Sequence, residues 1–227
     1  PEDSERAYAE QTNVVESIKL ANEFKVAIAA KQLILHYQPI YSISTGQVLG
    51  FEALMRWQHP LRGLVSPDEF IPMAEDSGLI IEACRWALGE VCEMLITERL
   101  LLKRPKNVKE TLDNCHKLGM KVVIDDFGTG YSSLSYLHQY PIDTLKIDRS
   151  FIHNMRSDKA VLGLVKSILT LRENMGIAII AEGVEQLEEV QLLSQLNCDT
   201  AQGFYFSRPI SESALYALLE KSNPPRH

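Results

Sequence analysis

The chain contains 227 residues, of which 45% are hydrophobic, and it carries a formal net charge of −7. This length suffices for one sizeable hydrophobic core. The negative charge argues against a groove that binds DNA by electrostatics alone, so an anionic ligand would need metal ions or a few well-placed basic groups.

No apolar run approaches the ~20 residues that a membrane-spanning helix needs, and no signal peptide is visible. The cysteines form no CxxC pair, and we interpret them as small buried hydrophobic residues in a reducing compartment. They are Cys84, Cys92, Cys115 and Cys198. We therefore expect a cytoplasmic protein, or the cytoplasmic part of a membrane-tethered multidomain protein.

Strands and helices are predicted to alternate along most of the chain. The segment 1–20 has the character of a linker and the start of a helix that leave an upstream domain. Apolar spacing and turn signals predict further helices at 66–77, 81–95, 108–118, 134–137, 161–175, 187–193 and 211–219. Strands are predicted at 33–40, 48–57, 96–98, 121–126, 144–148, 177–181 and 203–207. This alternation is typical of a parallel sheet with helical crossovers, and the length favours a (β/α)8 barrel over an open sheet.

Polar side chains lie in or just after the ends of several predicted strands. In a barrel these strand ends share one rim, which is where the active site lies, so we expect the side chains to converge in space. They are Glu52, Asp125, Asp126, Lys146, Asp148 and Glu182.

Several carboxylates and one lysine at one rim are typical of a metal-assisted hydrolase. Hard divalent cations prefer carboxylate oxygens, and two of them can stabilise both the attacking and the leaving oxygen of a phosphoryl transfer. Asp125 is placed to bridge two metals and Glu52 to hold one. Lys146 can orient or deprotonate a water, and Glu182 can act as a base or ligand. Arg56, which shares a strand face with Glu52, would neutralise a substrate phosphate.

Simpler interpretations of the same residues stay open at this point. Asp125 or Asp126 could cap the next helix in a solvated turn, and Lys146 could be a solvated surface lysine. Glu182 could cap the helix that follows it, which is compatible with catalysis.

Six short sequence motifs make the chain resemble one family. The segment 51–57, Phe-Glu-Ala-Leu-Met-Arg-Trp, resembles the signature of the EAL domain family, the cyclic di-GMP phosphodiesterases. The other five motifs are Tyr37–Pro39, Asp125–Ser133, Lys146–Phe151, Ala181–Glu185 and Gln202–Pro209. The resemblance covers nearly everything after residue 20, so we assign 21–227 to an EAL domain.

The resemblance implies a modified TIM (β/α)8 barrel whose first strand runs antiparallel to the rest. It implies hydrolysis of one phosphodiester of cyclic di-GMP, which gives linear pGpG and uses Mg²⁺ or Mn²⁺, with a two-metal site. It assigns metal binding to Glu52, Asp125 and Asp126. It assigns the handling of the attacking water to Lys146 together with Glu182 and Gln202.

The same resemblance implies the substrate contacts and the partners. The substrate contacts are Gln38, Leu54, Arg56, Asp126 and Gln202, and Gln202 also takes part in handling the water. The loop 127–133 would couple the metal site to a homodimer interface, with Glu98 as its anchor. The full-length protein would carry an upstream sensor or a GGDEF-type domain.

One departure from the family pattern stands out. Family members carry a strand with a metal-binding Asn, then a helix, then a strand that ends in Glu-x-x-Glu. Here Glu98 matches the second glutamate of that pair, Leu95 stands in place of the first, and the Asn is absent. About one βα unit is missing, since a βαβ unit needs ~30 residues or more. We expect the natural polypeptide to hold an extra segment between Leu95 and Ile96.

Three functions are compatible with the sequence. The first is an active cyclic di-GMP phosphodiesterase, which the lysine and the carboxylates favour. The second is a catalytically inactive cyclic di-GMP receptor, which a genuine loss of the Asn and Glu would favour. The third is a metal-dependent hydrolase of another phosphodiester on the same barrel.

Overall fold

The computed structural model describes residues 16, 18–90, 94–97, 105–129, 137 and 139–222. The chain divides into two units. The first comprises Pro1–His36 and Ala53–Val91, and the second comprises Tyr37–Glu52 and Cys92–His227. In the described residues no helix is both long and apolar enough to cross a bilayer.

Three strands and then two helices follow the first helix, and after these the described strands are separated by helices as the sequence predicts. The strands are β1 (Leu33–Ser42), β2 (Val48–His59), β3 (Gly63–Val65), β4 (Met94–Thr97), β5 (Val122–Phe127), β6 (Thr144–Ile147), β7 (Ala178–Ala181) and β8 (Thr200–Ala201). The helices are α1 (18–29), α2 (Pro67–Ser77), α3 (Ile80–Glu90), α4 (Pro105–Lys117), α5 (Arg149–Asn154), α6 (Lys159–Met175), α7 (Leu187–Gln195) and α8 (Glu212–Ser222).

The first unit is built around three aromatic side chains with no solvent exposure. Phe24 of α1 stacks on Phe70 of α2 and meets Trp57 of β2 edge-on, with both centroid distances at 5.2 Å. The α2 helix has Pro67 in its first turn and ends at Gly78, whose φ of 77° is left-handed. Both ends of this helix are as the sequence predicts.

The second unit contains a mixed sheet with the strand order β2-β1-β8-β7-β6-β5-β4, to which β1 contributes residues 37–42 and β2 residues 48–52. The four consecutive pairs from β4 to β8 are parallel. The β1 strand pairs with β8 in the antiparallel direction, with Tyr41 opposite Ala201. The predicted antiparallel first strand is therefore confirmed.

The centre of this sheet is apolar on both faces, as expected of parallel strands that helices cover. All four residues of β6 are buried. The core around them draws on β5, β7 and the helices α6 and α7. This burial matters for the site described below, because Lys146 is one of the four buried residues of β6.

Two predicted element boundaries are wrong. The helix predicted at 81–95 ends at Glu90, and Met94 and Leu95 belong to β4 instead. The strand predicted at 203–207 is a turn, and the pairing strand β8 ends at Ala201. A side chain at Gly203 would come within 2.2 Å of the Val184 backbone, so the chain bends where the glycine permits a close approach.

The predicted burial of Cys84, on α3, is also wrong. Ile81 is 59% exposed and Cys84 is exposed, whereas Ala83 is fully buried with Ile80 packed against the same core. Helical spacing fits both stripes, because apolar residues occur on more than one side of α3. Cys115 and Cys198 are buried as predicted, and Cys92 lies outside the described residues.

We predict that Phe24→Ala lowers the free energy of unfolding by about 3–5 kcal/mol, because it leaves a cavity between Phe70 and Trp57. Leu61→Ala is the matched control, since Leu61 is 91% exposed and its truncation should change stability by less than about 0.5 kcal/mol. Denaturant unfolding followed by circular dichroism measures both. Equal stabilities of the two variants would contradict this description of the core.

Candidate active site

Lys146 lies buried in β6 with three carboxylates around its ammonium group. Its Nζ atom is 3.0 Å from Glu52 Oε1, 3.1 Å from Asp125 Oδ1 and 2.5 Å from Glu182 Oε1. Glu52 accepts a hydrogen bond from this ammonium group, and Asp125 and Glu182 lie within ion-pair distance of it. The side chain is 2% exposed, which excludes the interpretation as a solvated surface lysine.

Four strands bring these groups together. Glu52 is on β2, Asp125 is on β5, and Glu182 follows β7 directly. Parallel pairing of β6 with β5 and β7 places their ends at one edge of the sheet. The structure therefore brings together residues that are far apart in the sequence, as the alternation of elements leads one to expect.

The charges at this site are unbalanced. Burial lowers the pKa of Lys146, but Glu52, Glu182 and Asp125 more than offset this, and the net shift is upward, so the ammonium stays charged. Burial raises the pKa of Glu182, and Asp125 and Glu52 act in the same direction, although Lys146 opposes them. One ammonium faces three carboxylates, so further positive charge would be favourable here.

A second group of carboxylates adjoins the first. Ligand oxygens of Asp125, Asp126 and Glu182 all lie within 4.8 Å of one another. Asp126 has a φ of 53°, in the left-handed region that Asp tolerates better than most residues, and its N–H donates to Asp125 Oδ1 at 3.1 Å. The pairing of β5 with β6 shifts register between Ile124 and Phe127. This irregularity lets two consecutive aspartates contribute to one site.

These carboxylates fit a divalent metal by the chemistry of their donors. Hard cations such as Mg²⁺ and Mn²⁺ take carboxylate oxygens, and three of them converge here. Burial raises the pKa of Asp126, and its neighbours Asp125, Asp148 and Glu52 raise it further, as expected of a cluster with excess negative charge. Glu182 joins this group in the structure, and Glu52 instead contacts Lys146 and an amide.

Two glutamines complete the polar site. Gln202 Nε2 donates to Glu52 Oε2 at 2.5 Å and to Gln38 Oε1 at 3.0 Å. Gln38 Nε2 donates in turn to the backbone carbonyl of Ser207 at 3.1 Å. In the part of the chain that the structure describes, the buried Gln202 Oε1 has no hydrogen-bond partner. The site thus retains an acceptor for a donor such as water.

Other predicted residues are placed differently. Leu54 and Arg56 belong to the first unit, where both are half-buried and Arg56 Nη1 donates to the Met55 carbonyl at 2.9 Å. Asp148 caps α5 by accepting the Ser150 N–H at 2.9 Å, so it has a structural role. Glu98 and residues 130–133 of the predicted coupling loop lie outside the described residues.

Glu182 is not the cap of the helix that follows it. The α7 helix begins after Gln186, whose side chain forms a capping box with Glu189. The carboxylate of Glu189 accepts the N–H groups of Glu185 and Gln186 at 2.8 and 3.0 Å. Because Glu189 takes the capping role, Glu182 is left to contact Lys146.

The chain belongs to the EAL domain family. The family model, described as EAL domain, matches residues 21–96 and 94–209. Relatives include MucR of Pseudomonas aeruginosa, named as a bifunctional diguanylate cyclase/cyclic di-GMP phosphodiesterase, at 31% identity over 90% of this chain and 37% of its own length. NbdA of the same organism, named as a cyclic di-GMP phosphodiesterase, is 31% identical over 90% of this chain and 32% of its own length. The chain spans about a third of the length of these relatives.

Solved structures show the same fold. The PaMucR phosphodiesterase in complex with c-di-GMP has a TM-score of 0.80 at 31% identity, covering 87% of this chain and 99% of that chain. The EAL enzyme Bd1971, in a form bound to cAMP and cyclic-di-GMP, has a TM-score of 0.87 at 30% identity, covering 95% and 72%. The predicted fold class, a modified (β/α)8 barrel, is confirmed.

The family match is interrupted at one place. Its two matched ranges meet at residues 94–96, within β4. The alignments to MucR and NbdA run over 253 and 252 positions, more than the 227 residues of the whole chain. The relatives therefore carry residues with no counterpart here, and the interruption locates them beside β4. This chain lacks one βα unit of the family's barrel.

We predict that the natural polypeptide contains that unit between Leu95 and Ile96. Trypsin cleaves after Arg85 and Arg99, so an uninterrupted chain yields the peptide Trp86–Arg99. In digests of the protein from its native source, mass spectrometry should instead show Trp86 to Leu95 and Ile96 to Arg99 in separate peptides. Detection of the intact Trp86–Arg99 peptide would contradict this prediction and establish a genuine deletion.

Proposed function

We propose that this chain hydrolyses one phosphodiester bond of cyclic di-GMP to give linear pGpG. The observation that carries the proposal is the buried Lys146 ammonium with carboxylates at 2.5 to 3.1 Å on three sides. Family membership and the names of MucR and NbdA support the choice of substrate.

In the proposed reaction a water oxygen forms a bond to phosphorus, and the bond to one ribose oxygen breaks. Lys146 orients the attacking water through an N–H, and Glu182 takes up the proton that the water releases. The leaving ribose oxygen gains a proton from solvent. Gln202 accepts a hydrogen bond from the water through Oε1, which is buried and has no hydrogen-bond partner among the described residues.

Asp125, Asp126 and Glu52 would hold Mg²⁺ or Mn²⁺, with Glu182 as a further ligand because its oxygen lies within the same group. When bound, a divalent cation acidifies water and stabilises negative charge on the phosphoryl group. Arg56 contributes positive charge toward a substrate phosphate, and Leu54 an apolar contact.

A second candidate is a receptor that binds cyclic di-GMP without cleaving it. The observation in its favour is Leu95, which stands where the family pattern has a metal-binding glutamate and lies in β4, the neighbour of β5. An apolar side chain cannot hold a cation. In this case the remaining carboxylates would bind too weakly for turnover.

The proposal extends to the rest of the protein. The domain would comprise 21–227, with 1–20 as a linker to an upstream sensor or GGDEF-type domain; the bifunctional name of MucR supports the latter. A cytoplasmic location follows from the substrate. Dimers would form through the segment after Asp126 that the sequence predicts to be helical, and through α5, with Glu98 anchoring the loop between metal site and interface.

We predict that the protein converts cyclic di-GMP to linear pGpG in the presence of Mg²⁺ or Mn²⁺. Chromatography of the nucleotides measures this product. Asp125→Asn should remove most activity, on the order of 100-fold or more, because one fewer charge holds the cation. Lys146→Ala should do likewise while sparing binding more, since the proposed role of Lys146 is to orient the water and not to contact the guanines. Ca²⁺ should inhibit because it prefers more ligands and looser geometry.

Binding measured by calorimetry on the same samples separates the two candidates. Arg56→Ala should weaken binding of cyclic di-GMP first, because a phosphate contact exists in both the ground and the transition state. Arg85→Ala, an exposed arginine of α3, is the matched control and should change neither quantity. Tight binding without product from an uninterrupted chain would establish the receptor and overturn the phosphodiesterase.

We predict a homodimer in solution. Light scattering at tens of micromolar protein should give twice the monomer mass. The α5 helix offers the charge-reversing variant Arg149→Glu, at an exposed position, which should shift the equilibrium toward monomer. A monomer at these concentrations, with and without cyclic di-GMP, would contradict the prediction.

A further inference from the structure

We propose that Gln38 is a positioning residue that fixes the amide of Gln202 and, through it, the carboxylate of Glu52. The kinetic consequences of this proposal rest on the proposed function, but its structural basis does not. The contacts concerned all lie within the second unit of the chain.

Three hydrogen bonds in series connect a backbone carbonyl to Glu52. Gln38 Nε2 donates to the Ser207 carbonyl at 3.1 Å, and Gln38 Oε1 accepts from Gln202 Nε2 at 3.0 Å. The same Gln202 nitrogen donates to Glu52 Oε2 at 2.5 Å. Gln38 is 8% exposed and Gln202 is 3% exposed, so bulk water competes little for these bonds.

The acceptor at the start of the series determines the orientation of both amides. A carbonyl oxygen can only accept, so Gln38 must turn its NH₂ toward Ser207 and its oxygen toward Gln202. Gln202 must then present its NH₂ to two acceptors, Gln38 and Glu52. A flip of either amide would set oxygen against oxygen at a buried position, which is costly.

The start of the series is itself held in place. Tyr37 and Ile210 exchange two backbone hydrogen bonds of 2.8 Å, and these fix the segment after Gln202 against β1. Ser207 therefore keeps its position relative to Gln38. The series connects this rigid point with the site where the proposed chemistry occurs.

At the far end, Glu52 is restrained through both of its oxygens. Oε2 accepts from Gln202, and Oε1 contacts Lys146 Nζ at 3.0 Å. Without Gln38 the Gln202 amide can rotate, and Glu52 loses one of these two restraints. Both polar atoms of Gln38 already have protein partners, which favours action through Gln202 over direct contact with substrate.

Gln38→Met tests the proposal, because it removes the amide and keeps the length of the side chain. We expect kcat to fall about 10- to 100-fold, the size typical of groups that orient ligands at a metal site, with KM changed less than about twofold. Gln32→Met is the matched control, since Gln32 Oε1 also accepts a side-chain hydrogen bond, from Trp57 Nε1 at 3.3 Å, in the first unit. It should leave kcat unchanged.

A double-mutant cycle tests whether Gln38 acts through Gln202. In a Gln202→Met background, adding Gln38→Met should lower kcat less than about threefold further, because the path is already interrupted. Independent effects that multiply, or a raised KM with unchanged kcat, would overturn the proposal in favour of a substrate contact. Thermal unfolding of each variant excludes a general loss of folding.

A readout without turnover keeps this proposal separate from the proposed function. In ¹H–¹⁵N spectra, Gln38→Met should shift the side-chain NH₂ signals of Gln202 and speed their exchange with solvent, whereas Gln32→Met should not. If the wild-type protein makes no product, the proposed function fails. The Gln202 NH₂ signals then still test whether Gln38 positions Gln202. Unchanged Gln202 signals in Gln38→Met would overturn it.

Discussion

The interaction on which the site depends is the contact of one buried ammonium with three carboxylates. Lys146 sits in β6, whose four residues are all buried, and an unpaired charge there would cost several kcal/mol. Glu52, Asp125 and Glu182 make that position tolerable, and Lys146 in turn makes their closeness tolerable. Neither side of this arrangement is stable in the sheet interior without the other.

The fold supplies this arrangement by parallel pairing. Adjacent strands end at a common edge, so single residues from β2, β5, β6 and the end of β7 meet although the chain between them is long. Carboxylates still outnumber the ammonium, and the surplus is concentrated at Asp125, Asp126 and Glu182. This excess of negative charge destabilises the folded protein, and it also favours the binding of divalent cations.

Sequence reasoning predicted what depends on local pattern and strand order. The alternation of elements and the meeting of Lys146 with Glu182 follow from periodicity and from where polar residues interrupt apolar runs, whereas the antiparallel β1 was implied only by the resemblance to the EAL family. The turn at Gly203 was missed, because a close approach to Val184 is a tertiary contact. The Gln38–Gln202 bond was missed too, because it joins residues 164 positions apart and no spacing rule encodes an amide orientation.

The most direct test of this account is the stability of Lys146→Met with and without divalent cations. In EDTA the variant should lose about 3–5 kcal/mol of unfolding free energy, because three clustered carboxyl groups lose their cationic partner. Added Mg²⁺ or Mn²⁺ should restore part of this loss and should stabilise the variant more than the wild type. A variant as stable as the wild type in EDTA would contradict the central role of Lys146.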